Sequence, residues 1–163
     1  IRFGYIFRKD FEDIMPIERF YLGGPYSVRG YDVDSMPPLG VTEKTRDGQI
    51  IRQYTTSSAD KISPNDDIIR KYTIQGGSSM INGNIEIRAP VFKNFTFVVF
   101  QDIGILSQTG FSGFQKTWFP ASGFGLRYKT PIGSIRFDAG WKWKTKLPGE
   151  SAFGWYLTIG EAF

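Results

Sequence analysis

Residues 134–145 alternate between apolar and polar side chains, the pattern of a β-strand whose two faces meet different surroundings. One face would carry Ile135, Phe137, Ala139, Trp141 and Trp143, and the other Arg136, Asp138, Gly140, Lys142 and Lys144. The same alternation recurs in residues 78–89 and 121–130, so the pattern predicts an all-β chain. Strand-like runs are predicted at 1–9, 78–89, 95–106, 121–130, 134–145 and 152–163.

Most of these runs have the length of a strand that crosses a membrane at a tilt, about ten to twelve residues. Aromatic residues make up 17% of the 163-residue chain, which also contains 19 glycines. The mean hydropathy is nevertheless −0.25, and no segment approaches the ~18 consecutive apolar residues of a membrane helix. This combination is typical of a β protein that faces lipid with alternate residues only.

The connections between the predicted strands are sorted by length. In an up-and-down antiparallel sheet, alternate connections lie at the same end, so the short ones would all share one end. The long or medium connections are 10–77, 107–120 and 146–151, and the short ones are 90–94 and 130–134. Short turns at one end and long loops at the other are typical of bacterial outer-membrane barrels.

Residues 32–77 form a polar segment too long for an ordinary loop of a compact soluble domain. An Asp47-Gly48 turn precedes the strand-like residues 50–54, which predicts a small hairpin outside the main sheet. The run 95–106 contains an exception to the alternation, because Val98 and Phe100 share the parity of Asp102. We expect these two apolar side chains to pack against a loop.

Histidine and cysteine are both absent from the chain. Disulfides, thiolate zinc sites and serine–histidine catalysis are therefore excluded, and no cofactor, metal site or enzymatic activity is predicted. The net charge is +4, but the basic residues are scattered, so nothing favours a nucleic-acid partner.

Arg29 lies between Val28 and Gly30 in a segment shaped by Gly23, Gly24 and Pro25. Such a segment forms an ordered tip, and an arginine held there presents five donors to a carboxylate. Two carboxylates, Glu86 and Asp102, stand on the polar faces of strands joined by the short turn at 90–94. We expect Arg29 to pair with one or both. A solvated surface arginine and solvated wall carboxylates are the alternatives.

The motif Val28-Arg29-Gly30-Tyr31, within residues 20–31, resembles the Val-Arg-Gly-Phe/Tyr motif of the outer-membrane protein insertase superfamily of BamA type. The resemblance continues through later segments in the same order and covers nearly all of the chain apart from 32–75. These segments are 76–80 with 84–87, 100–104, 123–127 before 131–133, and 157–160. Glu161 and the ending at Phe163 depart from the family's commoner ending.

By this resemblance, residues 1–163 are the C-terminal part of a transmembrane antiparallel β-barrel of roughly sixteen strands in the bacterial outer membrane. The chain would supply about six strands, the last five within 78–163, and would lack the upstream strands and POTRA repeats. Residues 10–77 would be a long external loop that returns into the lumen with the motif Val28, Arg29, Gly30 and Tyr31. There Arg29 would meet Glu86 and Asp102.

The last strand, 152–163, would by the same resemblance form one side of a weak lateral seam. Gly154 and Gly160 would weaken its pairing, Gly160 at the family's kink position, and Phe163 would end it. Arg29 would hold the loop that braces the wall opposite the seam.

The resemblance implies an insertase that folds client outer-membrane proteins into the membrane through this seam. Outer-membrane lipids, unfolded client proteins and accessory assembly lipoproteins would be its partners. A polypeptide-secreting pore of the two-partner or translocation-module type is the alternative within the superfamily. A soluble ligand-binding β-barrel, with Trp141 and Trp143 as stacking platforms, is the alternative from another class.

Overall fold

The computed structural model describes residues 1–56, 68–114, 118–131, 133–147 and 149–160. Within these ranges the chain is built from β-strands and short 3-10 turns, and all strand pairs are antiparallel. The all-β antiparallel prediction is therefore confirmed. No helix in the described ranges is long and apolar enough to span a membrane.

Six strands of the described residues form the main sheet, in the order β1-β5-β6-β7-β8-β9. They are β1 (Arg2–Tyr5), β5 (Ser79–Phe92), β6 (Phe95–Ser107), β7 (Trp118–Thr130), β8 (Gly133–Lys142) and β9 (Phe153–Ile159). The sheet is open rather than closed into a ring. The predicted strand at 1–9 is shorter in the structure, because regular pairing with β5 ends at Tyr5.

The two faces of this sheet have opposite characters, as the alternation predicts. Phe137 and Trp141 of β8 are exposed, whereas Arg136 and Asp138 of the same strand are fully buried. The neighbouring strands continue the exposed apolar face with Ile85, Ile87, Val99, Phe124, Leu126, Trp155 and Leu157. The sheet thus shows apolar side chains to the surroundings and covers its polar face, the reverse of a water-soluble sheet.

The two tight connections lie at the same end of the sheet. β5 and β6 pair up to Phe92 and Phe95, and β7 and β8 pair up to Thr130 and Gly133. The connections from β6 to β7 and from β8 to β9 are longer and lie at the opposite end. This sorting agrees with the pattern of connection lengths in the sequence.

A smaller sheet forms within the long segment that follows β1. It has the order β3-β2-β4 and consists of β2 (Leu39–Lys44), β3 (Ile50–Thr56) and β4 (Ile69–Ile74). The β2–β3 hairpin turns at Gly48, whose φ of 85° suits glycine. The third strand, β4, was not predicted, because its pairing with β2 depends on a contact between residues far apart in sequence.

Residues 20–38, here called the arginine loop, cover the polar face of the main sheet. An apolar cluster joins the loop to β6 and β7 and consists of Leu22, Val28, Tyr31, Met36, Leu106, Phe119 and Ala121. Gly104 allows this close approach, since a Cβ there would lie 2.7 Å from side-chain atoms of Val28 and Met36. Full burial of such apolar side chains contributes about 1.5–3 kcal/mol each and holds the loop against the wall.

Candidate functional site

The arginine loop is stabilised by contacts within itself. Gly23 has a φ of 117° and Gly24 a φ of 96°, in the region that favours glycine. The Gly24 amide donates to the Tyr31 carbonyl oxygen at 2.8 Å, which closes the tip around Arg29. The Ser27 hydroxyl donates to the Gly23 carbonyl oxygen at 2.8 Å. The loop therefore presents Arg29 from an ordered backbone.

Arg29 is fully buried and is held by two carboxylates of the wall. Its Nε and Nη2 donate to the two oxygens of Asp102, each at 2.7 Å, in a bidentate contact. Its backbone N–H also donates to Asp102 Oδ2 at 3.0 Å. Arg29 Nη1 donates to Glu86 Oε1. Charge-assisted contacts of this geometry fix the position of the guanidinium as well as neutralise it.

Phe100 forms the surface on which the guanidinium lies. The Arg29 Cζ atom is 3.5 Å from the centroid of the Phe100 ring, within range of a cation–π contact. This explains the exception to the alternation in β6, because both Val98 and Phe100 are buried on the polar face. The expectation that they pack against a loop agrees with this arrangement, although sequence reasoning did not connect the ring with Arg29.

Two asparagines of β5 complete the surroundings of the tip. Asn84 Nδ2 donates to Asp102 Oδ1 at 2.8 Å and to the Ser27 carbonyl oxygen at 2.5 Å. Asn82 Nδ2 donates to the same Ser27 oxygen at 3.2 Å. These amides bind the loop backbone and the ion pair together, so Asp102 keeps polar partners on several sides.

A second group of charges adjoins Arg29. Asp138 of β8 accepts from Arg127 Nη1 at 2.7 Å and from Arg136 Nη2 at 2.9 Å. Arg127 and Arg136 face each other across β7 and β8, so Asp138 offsets the repulsion between them. Arg127 Nη2 lies 3.6 Å from Glu86 Oε1, and Arg29 Nη1 lies 4.0 Å from Asp138 Oδ1.

The two groups form one network, here called the arginine network. It consists of Arg29, Arg127 and Arg136 with Glu86, Asp102 and Asp138, and none of these side chains is more than 7% exposed. Three positive and three negative charges balance formally, which is the condition under which buried charges are tolerated. Arg88 Nη2 reaches Glu86 Oε2 at 2.8 Å from the more exposed edge.

Sequence reasoning identified Arg29, Glu86 and Asp102, and the structure brings these three together. It did not identify Arg127, Arg136 or Asp138 as site residues. The sequence feature that could have identified them is their position, because all three lie on the polar faces of strands whose residues alternate between polar and apolar. Their mutual contacts depend on the β7–β8 register, which the sequence does not reveal.

The charge and protonation of the tip follow from its burial and partners. Burial lowers the pKa of Arg29, but the hydrogen bonds and charges of Asp102 and Glu86 outweigh it and raise that pKa above its usual value. Burial raises the pKa of the Tyr31 phenol well above its usual value of 10. Tyr31 therefore stays a hydrogen-bond donor, and its hydroxyl donates to the Lys144 carbonyl oxygen at 2.5 Å.

The loop tip also reaches the strands at the end of the sheet. A Cβ on Gly140 of β8 would lie 2.9 Å from the Gly30 nitrogen, and a Cβ on Gly154 of β9 would lie 2.7 Å from the Gly30 oxygen. Both positions require glycine for this close packing. The loop tip therefore lies directly on β9 as well as on the wall strands that hold Arg29, a contact that the sequence did not predict.

Gly160 follows β9 with a φ of 111°, so the backbone leaves the extended conformation at this residue. Its N–H still donates to the Ser134 carbonyl oxygen at 2.8 Å. Phe163, the predicted end of the seam strand, lies outside the described residues.

The chemistry of this site is that of fixing a loop. The part of the chain that the structure describes holds no group of three or more His, Cys, Asp or Glu side chains placed to bind a metal ion. The network holds the arginine loop against the sheet through Asp102 and Glu86.

A family model described as the Omp85 superfamily domain matches residues 1–163. Proteins of this superfamily reside in outer membranes and are non-enzymatic assembly or transport barrels. The resemblance drawn from the Val28-Arg29-Gly30-Tyr31 motif is thereby confirmed, and so is the predicted outer-membrane location. The alternative of a soluble ligand-binding β-barrel is wrong, and the exposed aromatic face of the sheet argues against it independently.

Proposed function

This chain belongs to the Omp85 superfamily, and on that premise we propose that it is the C-terminal barrel part of an outer-membrane protein insertase. In this role the barrel guides the folding and membrane insertion of client outer-membrane proteins through a lateral seam. Its partners are outer-membrane lipids, unfolded clients and accessory assembly lipoproteins.

The proposed barrel has roughly sixteen strands, of which this chain supplies β1 and the last five. Residues 10–77 form the loop that enters the lumen, and the tight turns after β5 and β7 face the periplasm. The exposed apolar face of the main sheet contacts lipid, because polar backbone and side chains are costly there unless paired. The arginine network then faces the lumen.

The proposal rests on the burial of the arginine loop and on the ion pairs that bind it to the sheet. Val28, Arg29 and Tyr31 are fully buried, and the guanidinium is shared by Asp102 and Glu86. Breaking one buried ion pair costs about 3–5 kcal/mol, and here several are linked. A polypeptide moving along the barrel axis would have to displace this loop. A client strand entering at the edge of β9 leaves it in place, and this favours the lateral route over a secreting pore.

The last strand has features that suit such a route. β9 pairs with β8 over seven residues, whereas β5 has 14 and β6 has 13. Gly160 ends its extended conformation, and β9 is an edge strand of the sheet that the described residues form. Pairing by strand addition would satisfy the client's N–H and C=O groups, which cannot be left unpaired in hydrocarbon.

The test is an insertion assay. The full-length protein is reconstituted in liposomes, and a client barrel protein unfolded in urea is added to them. We expect wild type to speed the appearance of folded, protease-resistant client relative to protein-free liposomes. Arg29→Glu, which places a third acid beside Glu86 and Asp102, should abolish most of this gain. Arg52→Glu, in the small sheet, is the matched control and should retain it. A wild-type protein that exports polypeptide into the vesicle lumen without inserting clients would instead be a secreting pore.

A further inference from the structure

Tyr156 of β9 touches the arginine loop at two backbone groups. Its hydroxyl donates to the Tyr31 carbonyl oxygen at 2.6 Å and accepts from the Gly30 N–H at 3.2 Å. We propose that Tyr156 is a positioning residue that couples the arginine loop to the last strand, so that release of the loop and displacement of β9 are one event. This inference rests on the proposed function, in which a client pairs with the edge of β9 while the bound arginine loop keeps β9 in place.

The backbone contact beneath Tyr156 makes the coupling direct. Gly140 and Gly154 are register partners on β8 and β9, and Gly30 packs against both, within 3 Å of the position of each missing Cβ. Tyr156 stands two residues after Gly154 and therefore on the same face. The loop tip contacts the two glycines and the Tyr156 hydroxyl together. Two of these three groups, those of Gly154 and Tyr156, belong to β9.

A second attachment joins the loop to the connection between β8 and β9. Tyr31 donates to the Lys144 carbonyl oxygen at 2.5 Å, and Lys146 Nζ lies 3.2 Å from Asp32 Oδ2. Glu150 accepts from the Lys146 backbone N–H at 2.9 Å and from Lys142 Nζ. The connection is thus folded around Glu150 and bound to the residues that follow Arg29 in sequence.

Neighbouring residues of the loop tip contact different strands of the sheet. Arg29 binds β5 and β6 through Glu86 and Asp102, whereas Gly30 and Tyr31 bind β9 through Tyr156. The tip therefore bridges the wall and the last strand across the sheet. If β9 swings away, the Gly30 N–H loses the Tyr156 hydroxyl as its partner in a buried site, and the Tyr31 carbonyl oxygen keeps only the Gly24 N–H, which is unfavourable. By linkage, loosening the loop favours displacement of β9 to the same degree.

The experiment uses spin labels on introduced cysteines in the full-length protein reconstituted in nanodiscs, and residues 1–163 contain no cysteine that would compete for the label. One pair, Val33→Cys with Leu126→Cys, reports the distance from the loop to β7, because both side chains are exposed. A second pair, Leu157→Cys with Leu126→Cys, reports the distance from β9 to β7. Double electron–electron resonance measures the population of each distance.

Tyr156→Phe removes both hydrogen bonds and keeps the ring. We expect it to raise the population of longer distances about tenfold in both label pairs, the change that corresponds to losing one to two net hydrogen bonds. Tyr128→Phe, a tyrosine on the opposite face of β7 that packs on Phe95, is the matched control and should change neither pair. The resistance of the barrel to heat should remain that of wild type, which separates coupling from general loss of structure.

Gly154→Ala is the second variant, in case Tyr156→Phe fails to fold. Its added methyl group meets the Gly30 oxygen and should push the loop from β9, giving the same change in both distances. Unchanged distances in both variants would overturn the proposal, and so would a change confined to the loop pair.

The insertion assay tests the proposed function independently of these distances. A wild-type protein without insertion activity refutes the proposed function, whereas the distances still decide whether loop and strand are coupled.

Discussion

Replacement of Arg29 by alanine removes the centre of the arginine network. The change deletes the two contacts of 2.7 Å to Asp102 and the contact to Glu86. Asp102 stays fully buried, but it keeps the residue-29 backbone N–H at 3.0 Å and Asn84 at 2.8 Å. Breaking a buried pair costs about 3–5 kcal/mol. Because Asp102 keeps these two partners, we expect the loss of stability to lie near the lower end of this range, at about 3 kcal/mol.

Hydrogen–deuterium exchange of the loop amides measures this free energy, because the Gly24 N–H is protected by the Tyr31 carbonyl oxygen. A loss of about 3 kcal/mol corresponds to exchange about 100-fold faster in residues 23–31. Arg52→Ala is the control and should leave this exchange unchanged, because Arg52 pairs with Glu43 in the small sheet.

A double-mutant cycle separates the ion pair from general damage. Asp102→Asn in the Arg29→Ala background removes the uncompensated buried charge, so the two changes together should cost less than their sum. Additive effects would refute the reasoning, as would exchange in Arg29→Ala that is less than about fivefold faster than in wild type.

Three further changes probe separate parts of the account. Phe100→Leu removes the ring beneath the Arg29 guanidinium, and urea unfolding should show a loss of about 1–2 kcal/mol, whereas an unchanged midpoint would contradict the contact. Asp138→Asn leaves two buried arginines facing each other, so the temperature of heat unfolding should fall and should not be restored by salt. The hydrogen bond from Arg70 holds the pKa of Glu43 below its usual value of 4.5, so stability of the small sheet is present above that value and is lost as the pH falls through the lowered pKa. Proteolysis of the small sheet should therefore accelerate in acid, and Glu43→Gln should remove this pH dependence.

The strands and their faces were predictable because their signal is local. Alternation places Arg136 and Asp138 on one face and Phe137 and Trp141 on the other without any knowledge of neighbours. The environment of each face was predictable only together with the connection lengths, which indicated a membrane barrel. The pairing of Arg29 with two wall carboxylates followed from the polar faces of adjacent strands and from the family resemblance.

The features that sequence reasoning missed depend on register and on close approach. Arg127 lies opposite Arg136, and the need for Asp138 between them appears only once β7 and β8 are aligned. Gly154 was interpreted as weakening β9, yet it also accommodates the Gly30 oxygen. No local pattern distinguishes a glycine required by a neighbouring backbone from one that loosens a strand.

The central claim is that clients enter at the edge of β9 while the arginine loop stays in place. Photo-crosslinking during client assembly tests it most directly, with a photoreactive residue at Leu157, exposed on β9, or at Leu126, exposed on β7. The account predicts crosslinks to the client from position 157 and none from position 126. Client crosslinks from position 33, exposed on the arginine loop, with none from position 157, would contradict it.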